Sequence, residues 1–188
     1  QELLDAYHKW IAYSLSWKKE RNASMTDLQF PFPYREGQRE IVSGVYHTVS
    51  SKKTLFVQAP TGVGKTMSAI FPSVRAIGEG KGETLFYLTA KTITGTVAWE
   101  AFHTLRENGL KFKVTAITAK EKLCFLDSPE CTPEKCPYAK GHFDRVNDAV
   151  YELWTTEEVY SREVIRAHAE KWQVCPFEMC LDLSVWVD

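Results

Sequence analysis

One stretch decides the predicted fold: Lys53-Lys-Thr-Leu-Phe-Val-Gln-Ala-Pro-Thr-Gly-Val-Gly-Lys-Thr66. The apolar run in Lys53–Gln58 predicts a buried strand, and apolar residues at helical spacing after Thr66 predict a helix. Between them, Ala59–Thr66 has the pattern of a phosphate-binding loop, with Ala59 in place of the usual first glycine. A strand, a tight glycine turn and a helix N-terminus direct backbone N–H groups at anionic oxygens. We therefore expect a nucleoside triphosphate site here rather than an ordinary glycine turn.

Each position of this loop has an expected role. Lys65 would reach the β- and γ-phosphates, and the Thr66 hydroxyl would hold Mg²⁺. Gly62 and Gly64 allow a backbone conformation and a close approach that a side chain would block. The predicted nucleotide-binding residues of the loop are Ala59, Thr61, Gly62, Val63, Gly64, Lys65 and Thr66, of which Lys65 and Thr66 are also the predicted catalytic residues.

Strand and helix patterns alternate on both sides of the loop. Thr84–Thr89 and Lys113–Ile117 predict further strands, and Val97–Leu105 has the apolar spacing of a helix between them. Strands that alternate with helices of this length predict a parallel sheet covered on both faces. From Glu121 to Glu178 the alternation stops, and two helical patterns occur among cysteines and prolines. We expect this stretch to be an insertion into an α/β domain.

Composition sets the limits of the functional classes. The chain has 188 residues, of which 44% are hydrophobic, so it can bury one core and a small satellite domain. The net charge of −1 excludes a global field that draws the chain to nucleic acid or membrane, although a local patch could still act. A basic run over 111–122 fits a local patch or a solvated surface equally well. Without a signal peptide or a membrane-length apolar run, a soluble, cytoplasmic protein is expected, with an N-terminus trimmed before Gln1.

All five cysteines lie in the last third of the chain. Cys124, Cys131 and Cys136 are closely spaced, and Cys175 follows much later, as when one loop and a returning chain enclose a metal centre. No Cys-x-x-Cys motif of the kind common in zinc sites is present. The spacing leaves open an iron–sulfur cluster, a zinc site or unliganded thiols. We expect Cys180 to be a buried apolar residue, and the five histidines to be surface or packing residues.

Several segments together resemble the XPD/DinG-like superfamily 2 DNA helicases, most closely the bacterial DinG-like members. The resemblance rests on the loop, on Phe86–Thr92 after it, on Phe32–Gln38 before it, and on the segments around the cysteines. It extends over nearly the whole chain. It implies a RecA-like domain that contains the P-loop and an inserted, mostly helical four-cysteine iron–sulfur domain.

The resemblance also implies roles for individual residues. Gln38 corresponds to a glutamine that pairs with the adenine edge, while Tyr34 and Arg35 lie near the nucleotide. Thr89, Lys91 and Thr92 fall on the motif that contacts the phosphates of single-stranded DNA. The implied ligands of a [4Fe–4S] cluster are Cys124, Cys131, Cys136 and Cys175. The implied cofactors are ATP, Mg²⁺ and this cluster.

The expected function is that of an ATP-dependent DNA helicase, 5′ to 3′ by resemblance, with single-stranded or forked DNA as partner and DNA repair as setting. No Asp-Glu-x-His motif is present, and Asp188 is not a substitute, because the resembling segment precedes that motif in the family. We therefore expect that the rest of the helicase, with a second RecA-like domain, lies beyond this chain. The chain alone is expected to bind nucleotide weakly and to turn over negligibly.

The expected organisation has four parts: an N-terminal amphipathic helix and linker (1–29), the first part of the RecA-like domain (30–120), the iron–sulfur insertion (121–180) and a return segment (181–188). Two alternative functions remain open. One is a P-loop phosphotransferase with a zinc-stapled lid, and the other is a non-catalytic nucleic-acid-binding module.

Overall fold

The structure is a computed structural model that describes residues 2–90, 92–127 and 130–188. The helices are α1 (Glu2–Asp27), α2 (Gln38–Ser50), α3 (Lys65–Gly78), α4 (Thr92–Glu107), α5 (Lys120–Leu123), α6 (His142–Thr156), α7 (Arg162–Trp172) and α8 (Pro176–Ser184). The strands are β1 (Val114–Thr115) and β2 (Val159–Tyr160). The chain divides into two compact units. We call Ser14–Lys111 the loop unit, and Gln1–Tyr13 with Phe112–Asp188 the cysteine unit.

The predicted RecA-like α/β fold with a parallel sheet is wrong. In the described residues, sheet pairing is confined to β1 and β2, which run parallel with Val114 opposite Val159. Lys53–Gln58 and Thr84–Thr89, two of the predicted strands, belong to no ladder. Their apolar side chains lie in solvent: Phe56 is 93% exposed and Leu88 is 86% exposed. An apolar run becomes a strand only where a neighbouring chain pairs with it, and the fold is mainly helical.

The loop unit is built on α3. Its apolar residues recur at helical spacing, as the sequence predicts, and one face is buried against α2 and α4. Near its end, α3 comes so close to α1 that a Cβ at Gly78 would lie 2.5 Å from the Met25 Cβ. A side chain at Gly78 would therefore force the two helices apart.

The cysteine unit is a helical core around α6, α7 and α8. Both helical patterns that the sequence shows between Glu121 and Glu178 are confirmed as α6 and α7. Trp154 of α6 is buried, stacks on Trp10 with 5.4 Å between ring centroids, and donates its indole N–H to the Trp186 carbonyl at 2.9 Å. Cys180 is buried in the same core, as predicted for an apolar role.

Lys113, which belongs to the basic run of the sequence, is buried and only 1% exposed. Its ammonium donates to the Glu157 carbonyl at 2.6 Å, to the Tyr160 hydroxyl at 3.1 Å and to the Trp154 carbonyl. These acceptors compensate for the loss of water around the charge. Lys113 therefore belongs to the core of the cysteine unit and not to a basic surface patch.

Among the described helices, none combines the length with the apolar character that a membrane crossing needs.

Candidate functional site

The glycine loop precedes α3, the central helix of the loop unit. Gly62 and Gly64 both adopt left-handed backbone angles, with φ of 85° and 79°. Such angles strain any residue with a Cβ, so both positions require glycine. Gly64 is the residue before Lys65, where α3 begins, and its carbonyl accepts the Ser68 N–H at 3.0 Å. The loop thus ends directly on a helix N-terminus, where partial positive charge favours anions.

Gln38 lies directly against the glycine loop. It is only 4% exposed, and a Cβ built at Gly64 would come within 2.5 Å of its amide nitrogen. The Gln38 side-chain oxygen accepts the Arg35 backbone N–H at 3.0 Å, while the Arg35 guanidinium donates to the Gly62 carbonyl. The structure therefore brings together the two segments from which the nucleotide residues were predicted.

The two side chains predicted to act on phosphate and Mg²⁺ lie at the start of α3. The Lys65 ammonium donates to the carbonyls of Ala59 (2.9 Å) and Pro60 (2.7 Å), which places its charge over the loop. The Thr66 hydroxyl accepts a hydrogen bond from the Tyr87 hydroxyl at 3.3 Å. Tyr87 was not among the predicted site residues, although it lies in the segment that follows the loop.

The remaining predicted nucleotide residues lie in different environments. Tyr34 is partly exposed and stacks on Phe30 with 4.4 Å between ring centroids, and the Arg39 guanidinium lies 4.9 Å from the Tyr34 ring centre. In the loop itself, Thr61 is exposed and Val63 is buried. The face beside Gln38 therefore presents an aromatic ring and cationic groups.

The predicted DNA-contacting residues are described only in part. Thr89 lies in the exposed extended segment before α4. Lys91 lies outside the described residues, as does the side chain of Thr92, at whose backbone α4 begins.

In the cysteine unit, all four predicted cluster ligands border one cavity of about 330 Å³. They are Cys124, Cys131, Cys136 and Cys175. Each is a free thiol, as is Cys180, which does not line this cavity. The rest of the wall includes the aromatic rings of Phe125 and Tyr138 and the charged groups of Lys120 and Glu178.

Hydrogen bonds hold the backbone next to the cysteines in place. The Arg166 guanidinium of α7 donates to the carbonyls of Leu123 (2.6 Å) and Cys124 (2.8 Å), which holds the end of α5. The backbone N–H of Cys136 donates to the Thr132 carbonyl at 2.9 Å and closes a turn. Cys175 is the N-cap residue of α8, followed by proline at the first helical position, where proline fits best.

Burial and hydrogen bonds shift the pKa values of two groups in the cavity wall. Burial raises the pKa of the Cys175 thiol, while the backbone N–H groups of Phe177 and Glu178 partly offset that effect. A hydrogen bond to the Cys131 sulfur raises the pKa of the Lys120 ammonium. The Lys120 cation therefore lies beside a group that carries negative charge once it is deprotonated.

His142, the first residue of α6, also lines the cavity. It is 4% exposed, and its Nδ1 accepts the backbone N–H of Cys175 at 3.2 Å. Its Nε2 is buried and finds no hydrogen-bond partner within the described part of the chain. Burial lowers the pKa of the His142 imidazole. The sequence interpretation treated His142 as a surface or packing residue, because its contact with Cys175 joins residues far apart in the chain.

The side chains around the cavity include donors that bind metals. No three His, Cys, Asp or Glu side chains of the described residues are grouped closely enough to hold a metal ion. Four thiols nevertheless border one cavity, and thiolates are the usual ligands of iron–sulfur clusters. A cluster takes one thiolate at each of its corners, so its ligands need not meet at a single point. The residues present therefore fit a group larger than one ion.

The cysteine unit also has an open groove, distinct in its lining from the cysteine cavity. It has a volume of about 620 Å³, and Lys140, Arg145, Lys171 and Trp172 line it. The Arg145 guanidinium is fixed by the carbonyls of Trp172 (3.0 Å), Lys140 (2.8 Å) and Gln173 (2.6 Å). Carbonyls do not neutralise the Arg145 cation, whereas the Lys171 ammonium pairs with the Glu152 carboxylate, which also accepts the Trp172 indole N–H at 2.9 Å. The sequence interpretation missed this groove, because its residues come from two segments that lie far apart in the chain.

Comparison with known proteins gives one short match. The chain is 40% identical over 47 residues to a probable ATP-dependent helicase of Methanocaldococcus jannaschii. The match covers 24% of this chain and 7% of that protein. No protein family profile and no solved structure matches the chain significantly. The match indicates a helicase-like relationship.

Proposed function

We propose that this chain is the nucleotide-binding and cluster-binding part of an ATP-dependent DNA helicase. The observation that carries the proposal is the contact between Gln38 and Gly64, because it joins the predicted adenine-recognition segment to the predicted phosphate loop. An amide that both donates and accepts suits one edge of a base. The helicase-like match supports the same function, while 5′-to-3′ polarity rests on the family resemblance.

The phosphate end of the site is formed by the loop and by the start of α3. Lys65 would move from the Ala59 and Pro60 carbonyls to the β- and γ-phosphates, and Thr66 would exchange its contact with Tyr87 for Mg²⁺. The Arg35 guanidinium donates to the Gly62 carbonyl and so holds this part of the loop in place.

Nucleotide titration tests this assignment. We expect ATP to bind more tightly than GTP, because Gln38 reads the base. Gln38→Met should reduce that preference with a smaller change in triphosphate affinity, since a side chain of similar size brings no charge to this buried position and cannot pair with the base. Lys65→Ala should weaken the binding of ATP and of GTP to the same extent. Equal binding of ATP and GTP by the wild-type chain would contradict adenine recognition, and unchanged affinity in Lys65→Ala would contradict the phosphate site.

The proposed ligands of a [4Fe–4S] cluster are Cys124, Cys131, Cys136 and Cys175, because all four border one cavity. Such a group supplies a redox-active, rigid cross-link between distant segments. Cys175 and Cys136 lie at the ends of the helical core, so the cross-link would brace α8 against the turn before α6. Iron and sulfide analysis distinguishes this proposal from a zinc site.

The proposed partner is single-stranded or forked DNA. The groove with Lys140, Arg145 and Trp172 supports it, because cationic groups beside an aromatic ring suit the phosphates and bases of a single strand. Thr89, Lys91 and Thr92 remain the proposed contacts in the loop unit. Lys140→Glu should weaken binding to single-stranded DNA and reduce its salt dependence. The matched change Lys81→Glu, at an exposed lysine of the loop unit that is not in the groove, should have a smaller effect.

Turnover is expected only in the longer protein. The sequence contains no Asp-Glu-x-His motif to orient Mg²⁺ and water. We therefore expect negligible ATP hydrolysis by the 188-residue chain, with or without DNA. Robust hydrolysis by this chain would contradict the assignment of its catalytic carboxylates to another part of the protein.

A further inference from the structure

His142 is the histidine that lines the cysteine cavity, but it is not one of the four proposed ligands. It lies at the start of α6, directly after Gly141, whose left-handed φ of 67° turns the chain into the helix. The imidazole is almost completely buried. A buried polar ring normally satisfies both of its nitrogens.

The hydrogen bond at one nitrogen determines what the other can do. Nδ1 accepts the backbone N–H of Cys175, so Nδ1 carries no proton. In the neutral ring, the proton therefore lies on Nε2, which makes Nε2 a donor. This assignment follows from the backbone N–H of Cys175, which can only donate.

The Nε2–H donor lacks an acceptor among the described residues. Leaving a buried donor without a partner is unfavourable, so such a group points to an acceptor supplied from elsewhere. The ring belongs to the wall of the cavity that the four thiols border. Sulfur atoms in that cavity would provide the acceptor.

We propose that His142 donates an Nε2–H hydrogen bond to a sulfur atom of the group held by the four cysteines, and thereby tunes its reduction potential. The inference rests on the proposed iron–sulfur site. Hydrogen bonds to cluster and ligand sulfurs are among the factors that set cluster potentials. A donor favours the more negatively charged, reduced state, so it raises the potential. His142 is thus a tuning residue and not a ligand.

Two substitutions separate the two nitrogens. His142→Asn keeps an acceptor near the position of Nδ1 for the Cys175 N–H, but removes the Nε2 donor. His142→Gln places an amide N–H near the position of Nε2, but removes the acceptor. His168→Gln is the matched control, since this half-buried histidine of α7 contacts the Ala149 carbonyl at 2.9 Å and does not line the cavity.

The readout is the midpoint potential of the anaerobically reconstituted protein, alongside its iron and sulfide content. We expect His142→Asn to load the cluster as the wild type does and to shift the midpoint to a more negative value. His142→Gln should stay nearer the wild type, and His168→Gln should match it. An unchanged midpoint in His142→Asn at full loading would overturn the role of His142 and leave the cluster proposal intact.

A measurement on the wild type keeps the proposal testable if neither His142 variant folds. Pulsed electron paramagnetic resonance of the reduced protein, labelled with ¹⁵N-histidine, should show a weakly coupled histidine nitrogen and an exchangeable proton. Absence of that coupling in loaded protein would overturn the inference. Wild-type protein that assembles no iron and sulfide would overturn the proposed cluster and this inference together.

Discussion

The loop unit and the cysteine unit place their apolar residues differently. In the cysteine unit, α6, α7 and α8 bury aromatic and aliphatic side chains around Trp154, and the cysteine cavity lies within that unit. In the loop unit, the segments on either side of α3 expose apolar side chains, such as Phe56 and Phe86. Helices near each other in sequence bury their faces by local packing, whereas an extended segment requires a paired neighbour. The cysteine cavity therefore lies beside a packed helical core, and the glycine loop lies between segments with exposed apolar side chains.

The largest expected effect comes from removing a buried aromatic ring in the cysteine unit. Trp154→Ala should destabilise that unit by about 3–5 kcal/mol, because it leaves a large cavity among packed rings. The matched change Phe56→Ala, at an exposed ring of the loop unit, should stay within about 0.5 kcal/mol. Hydrogen exchange of the α6 amides measures the difference. Similar protection of α6 in both variants would contradict the contrast between the units.

The second prediction concerns helix packing inside the loop unit. Gly78→Ala should destabilise it by about 1–3 kcal/mol, because the new Cβ meets the Met25 Cβ at 2.5 Å. Gly44→Ala, in α2, meets Leu55 Cδ2 at 3.6 Å, an ordinary contact. It should stabilise the helix by up to about 1 kcal/mol. Thermal unfolding of both variants checks the opposite signs, and two stabilised variants would show that α1 and α3 do not approach closely.

The third prediction compares the two loop glycines. Alanine at Gly62 or Gly64 introduces backbone strain of about 1–2 kcal/mol, since both have positive φ. Only Gly64→Ala also drives a Cβ into the Gln38 amide. We therefore expect Gly64→Ala to weaken ATP binding by about tenfold or more relative to the wild type. Gly62→Ala should weaken it less. Equal losses in a nucleotide titration would argue against the role of Gln38.

The smallest effect is the pH dependence from His168. Burial lowers its pKa in the folded state. As the pH falls, the unfolded chain therefore binds a proton at this ring before the folded chain does. The stability that the neutral ring contributes is lost as the pH falls below about 6.5. Denaturant unfolding from pH 8 to pH 5 should show a shallower decline for His168→Gln than for the wild type. At pH 8, where the ring is neutral in both states, any remaining difference reports the lost Ala149 contact.

Some parts of the fold were predictable from the sequence, and there are physical reasons why the other parts were not. The helical patterns of α3, α6 and α7 follow from apolar periodicity within one segment, so they were recovered. The predicted sheet was wrong, because Lys53–Gln58 and Thr84–Thr89 are apolar but unpaired, and periodicity says nothing about a pairing partner. The burial of Lys113 escaped prediction, because its acceptors come from the distant segment that contains Trp154 and Tyr160.

The glycine loop and the cysteine cavity also differ in how much of each could be predicted from the sequence. The glycine loop was predicted as one contiguous motif, and the structure places Gln38 against it. The cysteine cavity required contacts between distant segments, so its four thiols could be proposed, but the wall residues Lys120 and His142 could not. Sequence patterns therefore indicate the chemistry of each site better than its surroundings.

The most direct test of the account is the iron and sulfide content of the anaerobically reconstituted chain. We predict about four of each per chain, lost when Cys136 is replaced by alanine and retained when the core residue Cys180 is replaced. Retention in Lys65→Ala would show that the two units bind their groups independently. A single zinc ion, or equal loss in the Cys136 and Cys180 variants, would contradict the assignment of the cavity.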